Sequence, residues 1–327
     1  MNPALRRYGL QLALVGVAVT WGATFVTVKD AVSLYPLYSF LALRFGIAVV
    51  AFLALFPKSL SRLNARTLAA GAWAGAFLTA GYVFQTWGLQ GTSASKAAFI
   101  TGMFVVITPL LQTVLLRRLP RLPTLLGVVA AVLGLWLLSG GGSGQWSAGD
   151  TRVLLCAVAY SGHLIVLGSV TPKHDVRVLT LVQLAVVALV CGGVAVVVEH
   201  PGLPTTGSVW VALLVTGVIA SAVAFAVQTS AQRYIPPART ALILVTEPAF
   251  GGLFGWLAGE ALGVQGLAGA ALILAGMVAS ELLGPRGEVG EKVVLEPALE
   301  GIPAPVVEPI EAGNDPRPAS AGDATES

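Results

Sequence analysis

Three ionisable side chains lie inside long apolar runs of this sequence: Arg44 in LALRFGIAV, His163 in AYSGHLIVL and Glu247 in LVTEPAFGG. An ionised side chain at the centre of a bilayer costs about 3 kcal/mol on insertion scales, so each needs a partner, water or a function. Arg44 is either a clamp for an anion or carboxylate, or a structural cation that caps carbonyls or reaches an interface. His163 is either a proton carrier, because imidazole titrates near neutral pH, or a hydrogen-bonded core histidine.

Glu247 is followed directly by Pro248. Proline has no amide hydrogen, so the carbonyl one turn earlier loses its partner and the helix is expected to break or kink there. A carboxylate beside loosened backbone is typical of broken helices that line cavities. The alternative is a structural acceptor that pairs with Arg239 or Arg233. Pro109 follows Thr108 at the corresponding place in the first half, and a helix break is predicted there too.

Neutral hydrogen-bonding and aromatic side chains in the same runs complete the set of candidates for substrate binding. Such groups are cheap enough to bury and able to hold a polar solute, but they also serve as glue between helices. The sequence does not separate the two roles. The candidates are Trp21, Thr24, Gln85, Tyr160, Gln183 and Gln228.

Ten apolar segments of about the length needed to cross a bilayer must position these side chains. Short polar or Gly/Pro-rich connections separate them, and the apolar runs lack the period-two alternation of membrane strands. The sequence therefore predicts an all-α integral membrane protein with ten transmembrane helices. The predicted spans are residues 8–28, 36–56, 68–88, 96–116, 122–139, 150–170, 178–198, 208–230, 240–258 and 263–283.

The second five segments resemble the first five. Offsets of 139 and 143 residues pair Trp21 with Tyr160, Arg44 with Gln183, Gln85 with Gln228 and Pro109 with Pro248. Because each half holds an odd number of spans, the second half is inverted in the membrane. Inverted repeats are typical of secondary transporters, whose substrate site lies near the midplane between the halves. Two repeats are predicted, over residues 8–140 and 150–283.

Charge distribution predicts the orientation. With residues 1–7 inside, thirteen Lys and Arg residues fall in cytoplasmic segments and three, Lys29, Lys96 and Arg152, in outer ones. The positive-inside rule then places both termini in the cytoplasm of a multi-pass protein of the cytoplasmic membrane. Residues 284–327 form an acidic, Pro-rich tail that is expected to be disordered.

Composition narrows the function classes. The chain is 56% apolar and 11% charged, and its basic residues stand singly between apolar runs, which argues against nucleic-acid binding. Cys156 and Cys191 lack metal-ligand spacing, and no metal or cofactor is predicted. The sequence contains none of the common catalytic or nucleotide-binding motifs, so no enzyme activity is predicted. Three functions stay open: a secondary transporter, an uncoupled facilitator or channel for small polar solutes, and a non-transporting membrane sensor. The choice between monomer and homodimer also stays open.

Four stretches together resemble the EamA family of the drug/metabolite transporter superfamily: WGATFVTVK, LALRF, GLQGTSASKAAFITGMFVVITPLL and LVTEPAFGGLFGWLAGE. The resemblance covers residues 8 to 283. It implies two inverted five-helix repeats and export of small metabolites, amino acids or drugs by alternating access, coupled to protons in some members. The family-typical positions it places in this chain are Trp21, Arg44, Gln85, Lys96, Glu247, Pro248 and Glu260.

Overall fold

The structure of the protein is a computed structural model. It describes residues 3–115, 122–138, 146–200, 202–235, 237–244, 246–282, 292–294 and 306–308. Most of the predicted tail, residues 284–327, lies outside this range, so its disorder stays a prediction. Two three-residue strands are described in the tail, β1 (Lys292–Val294) and β2 (Val306–Glu308), which pair antiparallel with Lys292 opposite Glu308.

The membrane body is helical, with a helix at each of the ten predicted positions. The helices are α1 Pro3–Leu34, α2 Leu37–Leu55, α3 Ala65–Leu89, α4 Ala94–Gly102, α5 Phe104–Leu115, α6 Leu122–Leu138, α7 Ala148–Val170, α8 Val176–Val198, α9 Gly207–Leu214, α10 Ala224–Gln232, α11 Pro237–Leu244, α12 Thr246–Leu257 and α13 Gly263–Leu282. A 3₁₀ turn, Pro57–Arg62, lies between α2 and α3. A π-helical segment, Val215–Val223, joins α9 to α10.

Seven helical stretches among the described residues are long and apolar enough to cross a membrane. They are Tyr8–Leu34, Leu37–Leu55, Ala65–Leu89, Ala94–Leu115, Ala148–Val170, Val176–Val198 and Gly207–Gln232. Two further helices, Leu125–Leu138 and Gly263–Gly276, are also apolar but shorter. The protein is therefore a multi-pass helical membrane protein, and the count of ten crossings stays a prediction.

Helix breaks are predicted at Pro109 and Pro248. Pro248 lies within α12 and α11 ends at Leu244, but Val245 between the two is outside the described residues, so the break at Pro248 stays a prediction. Pro109 lies inside α5, and an interruption comes earlier, at Met103 between α4 and α5. The predicted break at Pro109 is thus displaced by six residues. At Met103 the chain makes tight turns, with hydrogen bonds from Met103 N to Ile100 O and from Val106 N to Met103 O.

The main helix contacts cross between the two halves of the chain. α6 packs on α13, α3 on α7 and α8, α2 on α8 and the π-helical segment, and α12 on α1 and α4. The halves therefore interlock rather than stand side by side. Any space enclosed at the centre is lined by both of them.

Glycines allow the closest of these contacts. A Cβ atom on Gly134 of α6 would lie 2.7 Å from the carbonyl oxygen of Gly269 on α13, and a Cβ on Gly269 would lie 2.5 Å from that of Gly134. Gly71 packs against Val182 in the contact between α3 and α8, and Gly251 packs against Ala98 in the contact between α12 and α4. Small residues bring helix backbones together where lipid supplies no hydrophobic driving force.

One end of the bundle, where α1 ends and α4 begins, is held by Glu260. Its carboxylate binds Lys29 Nζ at 2.7 Å and accepts hydrogen bonds from the backbone amides of Ala94 and Ser95, both at 2.8 Å. Gly259, with φ at +89°, ends α12 in the left-handed conformation and places Glu260 beside the start of α4. We call this the Glu260 end of the bundle.

Two other carboxylates tie helices together at the same end. Asp150 of α7 binds Lys96 Nζ of α4 at 2.7 Å and accepts from the Thr92 hydroxyl at 2.6 Å. Glu199, just after α8, accepts from the backbone amides of Tyr38 and Ser39 in the first turn of α2. Both Glu199 and Glu260 thus place a negative charge at the positive end of a helix dipole.

Candidate functional site

A cavity lies at the centre of the bundle and is lined by residues from both halves of the chain. It holds about 560 Å³ free of protein atoms, including the part open to solvent. Eight of the nine predicted site residues line it: Trp21, Thr24, Arg44, Gln85, Tyr160, His163, Gln228 and Glu247.

Trp21 lines one wall of the cavity and is hydrogen-bonded to the π-helical segment. Its indole Nε1 donates to the carbonyl oxygen of Ala220 at 2.8 Å. π-helical winding leaves backbone groups available in this way and occurs often at functional sites. The Trp21 ring packs on Phe225, with 5.3 Å between ring centroids, and Thr24 donates to the Trp21 carbonyl one turn away.

Arg44 is almost fully buried, with 2% of its surface exposed. Its Nε donates to the Ser221 hydroxyl at 3.0 Å, and its Nη2 donates to the Tyr82 hydroxyl at 3.3 Å. The guanidinium also stacks over the Tyr82 ring, 4.7 Å from its centroid. Within the described part of the chain no carboxylate pairs with it. Arg44 therefore stays as a buried cation held by hydroxyls and a ring rather than by carbonyls or an interface.

Gln85 and Tyr160 join the two halves inside the cavity. The Tyr160 hydroxyl donates to Gln85 Oε1 at 3.2 Å, and Gln85 Nε2 donates to the Thr101 hydroxyl at 3.4 Å. Both ends of the Gln85 amide are therefore bonded within the protein.

His163 and Gln183 form a second polar pair at the cavity wall. His163 Nε2 lies 2.7 Å from Gln183 Oε1, and Gln183 Nε2 donates to the Thr229 hydroxyl at 2.9 Å. Gln183 is fully buried and does not line the cavity. Among the predicted site residues it alone lies behind the wall, where it supports His163.

Gln228 belongs to a chain of buried amides that leaves one oxygen open. Its Nε2 donates to Gln232 Oε1 at 3.4 Å, and Gln232 Nε2 donates to the Leu164 carbonyl at 2.9 Å. Gln228 Oε1 is buried and has no hydrogen-bond partner.

Glu247 lies in the first turn of α12 with 4% of its surface exposed. Its side chain makes no hydrogen bond or ion pair with the described residues. It lines the same cavity as Arg44, Tyr82 and Tyr160. Of the partners considered from sequence, Arg233 is exposed, and the side chain of Arg239 lies outside the described residues.

Four aromatic residues of the cavity were not predicted: Phe25, Tyr82, Phe104 and Phe225. Tyr82 and Phe225 each precede a predicted glutamine by three residues, Gln85 or Gln228, and so lie on the same helix face. They also stand 143 residues apart, at the offset that pairs the two glutamines. Extending the repeat alignment by one turn would have identified both. Among the described residues, no group of three His, Cys, Asp or Glu side chains could hold a metal ion.

Comparison with known proteins identifies a family and two related proteins. The model of the EamA-like transporter family matches residues 8–140 and 147–280. Two proteins from Archaeoglobus fulgidus (strain ATCC 49558 / DSM 4304 / JCM 9628 / NBRC 100126 / VC-16), each named "Uncharacterized transporter", are similar to this chain. One is 29% identical over 76% of this chain and 78% of its own length, and the other is 27% identical over 83% and 96%.

A solved structure described as "Crystal structure of protein" has the same fold. It superimposes with a TM-score of 0.65 at 18% sequence identity, over 84% of this chain and 97% of its own. At this identity the match concerns the fold alone.

Proposed function

Because the chain belongs to the EamA-like transporter family, we propose that it exports small metabolites, amino acids or drugs across the cytoplasmic membrane by alternating access. The observation that supports this most directly is the central cavity, which takes its lining from matched positions of both halves. Trp21 and Tyr160, Tyr82 and Phe225, and Gln85 and Gln228 face the same space. A site between inverted repeats can open to either side when one half rocks against the other.

The proposal includes ten membrane crossings with both termini in the cytoplasm. In this orientation the Glu260 end of the bundle faces outward. Opening toward that side has to separate contacts that Glu260 and Asp150 make between helices of different halves. Such contacts suit a closed outer face because they break at the bundle end, where water can solvate the separated charges.

Inside-out vesicles that contain the full-length protein test the proposal. They are loaded by exposure to a pool of amino acids and small metabolites, with and without an imposed proton gradient, and vesicles without the protein serve as the control. An alternating-access carrier gives saturable uptake and counterflow of at least one solute. Dependence on the gradient adds proton coupling, with Glu247 and His163 as the candidate carriers.

The rival functions give different results in the same vesicles. An uncoupled facilitator gives saturable flux that ignores the gradient. Flux that neither saturates nor shows counterflow identifies a channel and contradicts alternating access. A protein that changes no flux acts as a sensor or assembly partner.

A further inference from the structure

The polar groups that line the cavity are unevenly satisfied: six side chains each donate at least one hydrogen bond inside the protein, whereas two acceptors make none with the described residues. The six donors are Trp21, Thr24, Arg44, Gln85, Tyr160 and Gln228. Gln228 Oε1 is buried without a partner. The side chain of Glu247 lines the cavity and makes no hydrogen bond or ion pair with the described residues.

The orientation of the Gln228 amide follows from its neighbours. Gln232 points an amide toward the Leu164 carbonyl, which can only accept, so that end is Nε2 and the other end is Oε1. Gln232 Oε1 in turn faces Gln228 and can only accept, so the facing atom of Gln228 is its Nε2. Gln228 Oε1 is therefore left on the side without a partner, in a residue that is 2% exposed.

A buried acceptor without a partner loses its hydration and gains nothing in return. The Glu247 carboxylate has the same requirement, because a buried carboxylate is stable only with hydrogen-bond donors or a cation. The two residues lie on α10 and α12 and border one cavity. A protonated amine can satisfy both, because it supplies N–H donors and a positive charge.

Arg44 does not neutralise Glu247: its guanidinium is held by Ser221 and by the hydroxyl and ring of Tyr82, and the two side chains form no ion pair. The remaining walls suit a protonated amine with an apolar body. Trp21 and Phe225 present aromatic rings to the cavity, and the faces of such rings attract cations.

We propose that the cavity binds solutes that carry a protonated primary or secondary amine on an apolar or aromatic body, with Glu247 and Gln228 Oε1 as the acceptors. This inference rests on the proposed transport function and specifies the chemistry of its site. The amine is required, whereas a carboxylate on the solute is not.

Three probes with one phenyl body test the proposal: phenethylamine, 3-phenylpropionate and 2-phenylethanol. Binding is measured as thermal stabilisation of the purified full-length protein in detergent at neutral pH. Because hydrogen bonds to charged groups are strong, the amine is expected to bind about 10- to 100-fold more tightly than the other two. Equal or tighter binding of the anion or the alcohol overturns the proposal, and so does the absence of stabilisation by the amine.

Substitutions of Glu247 and Gln228 test whether these two side chains accept the hydrogen bonds of the amine. Glu247→Gln and Gln228→Met are each expected to weaken phenethylamine binding about tenfold or more. The matched control is Gln265→Met, on an exposed position of α13 that does not line the cavity. It is expected to keep both the affinity for phenethylamine and the preference for the amine over the anion.

The ratio of amine to anion affinity is read within each variant, so a general loss of stability does not imitate the result. If the ratio is unchanged in both Glu247→Gln and Gln228→Met, the acceptors are wrongly assigned. Failure of the transport proposal appears separately, as absence of flux in vesicles while the binding preference persists.

Discussion

At the scale of single residues, Arg44 shows how this fold keeps a charge away from water. A buried cation without a carboxylate needs several polar neighbours at once, and the planar guanidinium supplies donors in directions that an ammonium cannot match. Ser221 takes the Nε hydrogen, while Tyr82 offers its hydroxyl and its ring. The arginine thereby connects α2, α3 and the π-helical segment.

Arg44→Lys is expected to destabilise the protein although it keeps the charge. Lysine cannot reach the two hydroxyls in the same fork, and a buried group left without its partner costs about 1–3 kcal/mol. The measurement is the melting temperature of the purified protein in detergent. The matched control is Arg62→Lys, whose ion pair with Asp175 is exposed and contributes little. Equal effects of the two substitutions would contradict the structural role of Arg44.

Many residues of the site could be predicted from the sequence, because polar residues are conspicuous in apolar runs. Trp21, Gln85, Gln228 and Glu247 could be selected on that ground alone. Their bonding could not be predicted. Whether Gln85 is satisfied and Gln228 is not depends on Thr101, Tyr160 and Gln232, which reach the two amides from other turns and other helices.

At the scale of helices, the boundaries followed from apolar length and from breakers, and the exceptions have local causes. α1 extends to Leu34, beyond the predicted span, because no proline or glycine interrupts the chain after Gly22 until Pro36. The π-helical segment had no sequence signal, and its contacts with Arg44 and Trp21 come from residues far away in the chain. The partners of Glu260 were equally hidden, because Lys29 is 231 residues away in the chain.

Gly269→Ala is expected to lower the yield and melting temperature of the folded protein. The added methyl group would lie 2.5 Å from the Gly134 carbonyl oxygen, so α6 and α13 must move apart. Overpacking of a tight contact costs about 1–3 kcal/mol. Gly193→Ala on α8 is the control, because nothing lies within 4 Å of its added Cβ. Fluorescence-detected size-exclusion chromatography with heating measures both, and an unaffected Gly269→Ala protein would show that the contact is loose.

The contacts of Glu260 are expected to make the stability of the protein depend on pH in the acidic range. Burial alone would raise the pKa of this carboxyl group, but the hydrogen bonds from Lys29 and from Ser95 and Ala94 outweigh it and lower the pKa below the ordinary value of 4.5. A carboxyl group whose pKa is lower when folded stabilises the protein above the unfolded pKa, and this stabilisation disappears as the pH falls through the folded value.

Glu260→Gln is therefore expected to lower the melting temperature at neutral pH and to reduce the further loss of stability below about pH 4.5. Ser93 remains the N-cap of α4 in this variant, so the loss comes from the weaker contacts with Lys29, Ala94 and Ser95. Melting curves of the wild type and the variant from pH 7 to pH 3 check this. Parallel curves over the whole range would show that the carboxylate does not stabilise the folded state.

At the scale of the whole molecule, the helical body and the tail differ in composition and in the contacts that can stabilise them. The body interlocks two halves across α6 and α13, α3 and α7, and α2 and α8, so its stability depends on both repeats together. The tail holds nine acidic and three basic residues after position 284 and has too few apolar residues to build a core of its own.

Deletion of residues 286–327 is expected to leave membrane insertion, melting temperature and transport unchanged. Membrane fractionation and vesicle flux measure this, with the full-length chain as the reference. Loss of folded protein from the membrane would show that the tail takes part in folding of the helical body.

The winding of Val215–Val223 also sets the direction in which later residues point. A π-helix holds more residues per turn than an α-helix, so this segment fixes the rotational phase of the whole of α10 behind it. Ser221 stays beside Arg44 within the segment, and Gln228 follows seven residues later. Removal of a single residue between them would turn the amide by about 100° around the helix axis and away from the cavity. The spacing from Ser221 to Gln228, and not only the identity of the two residues, is thus part of the site.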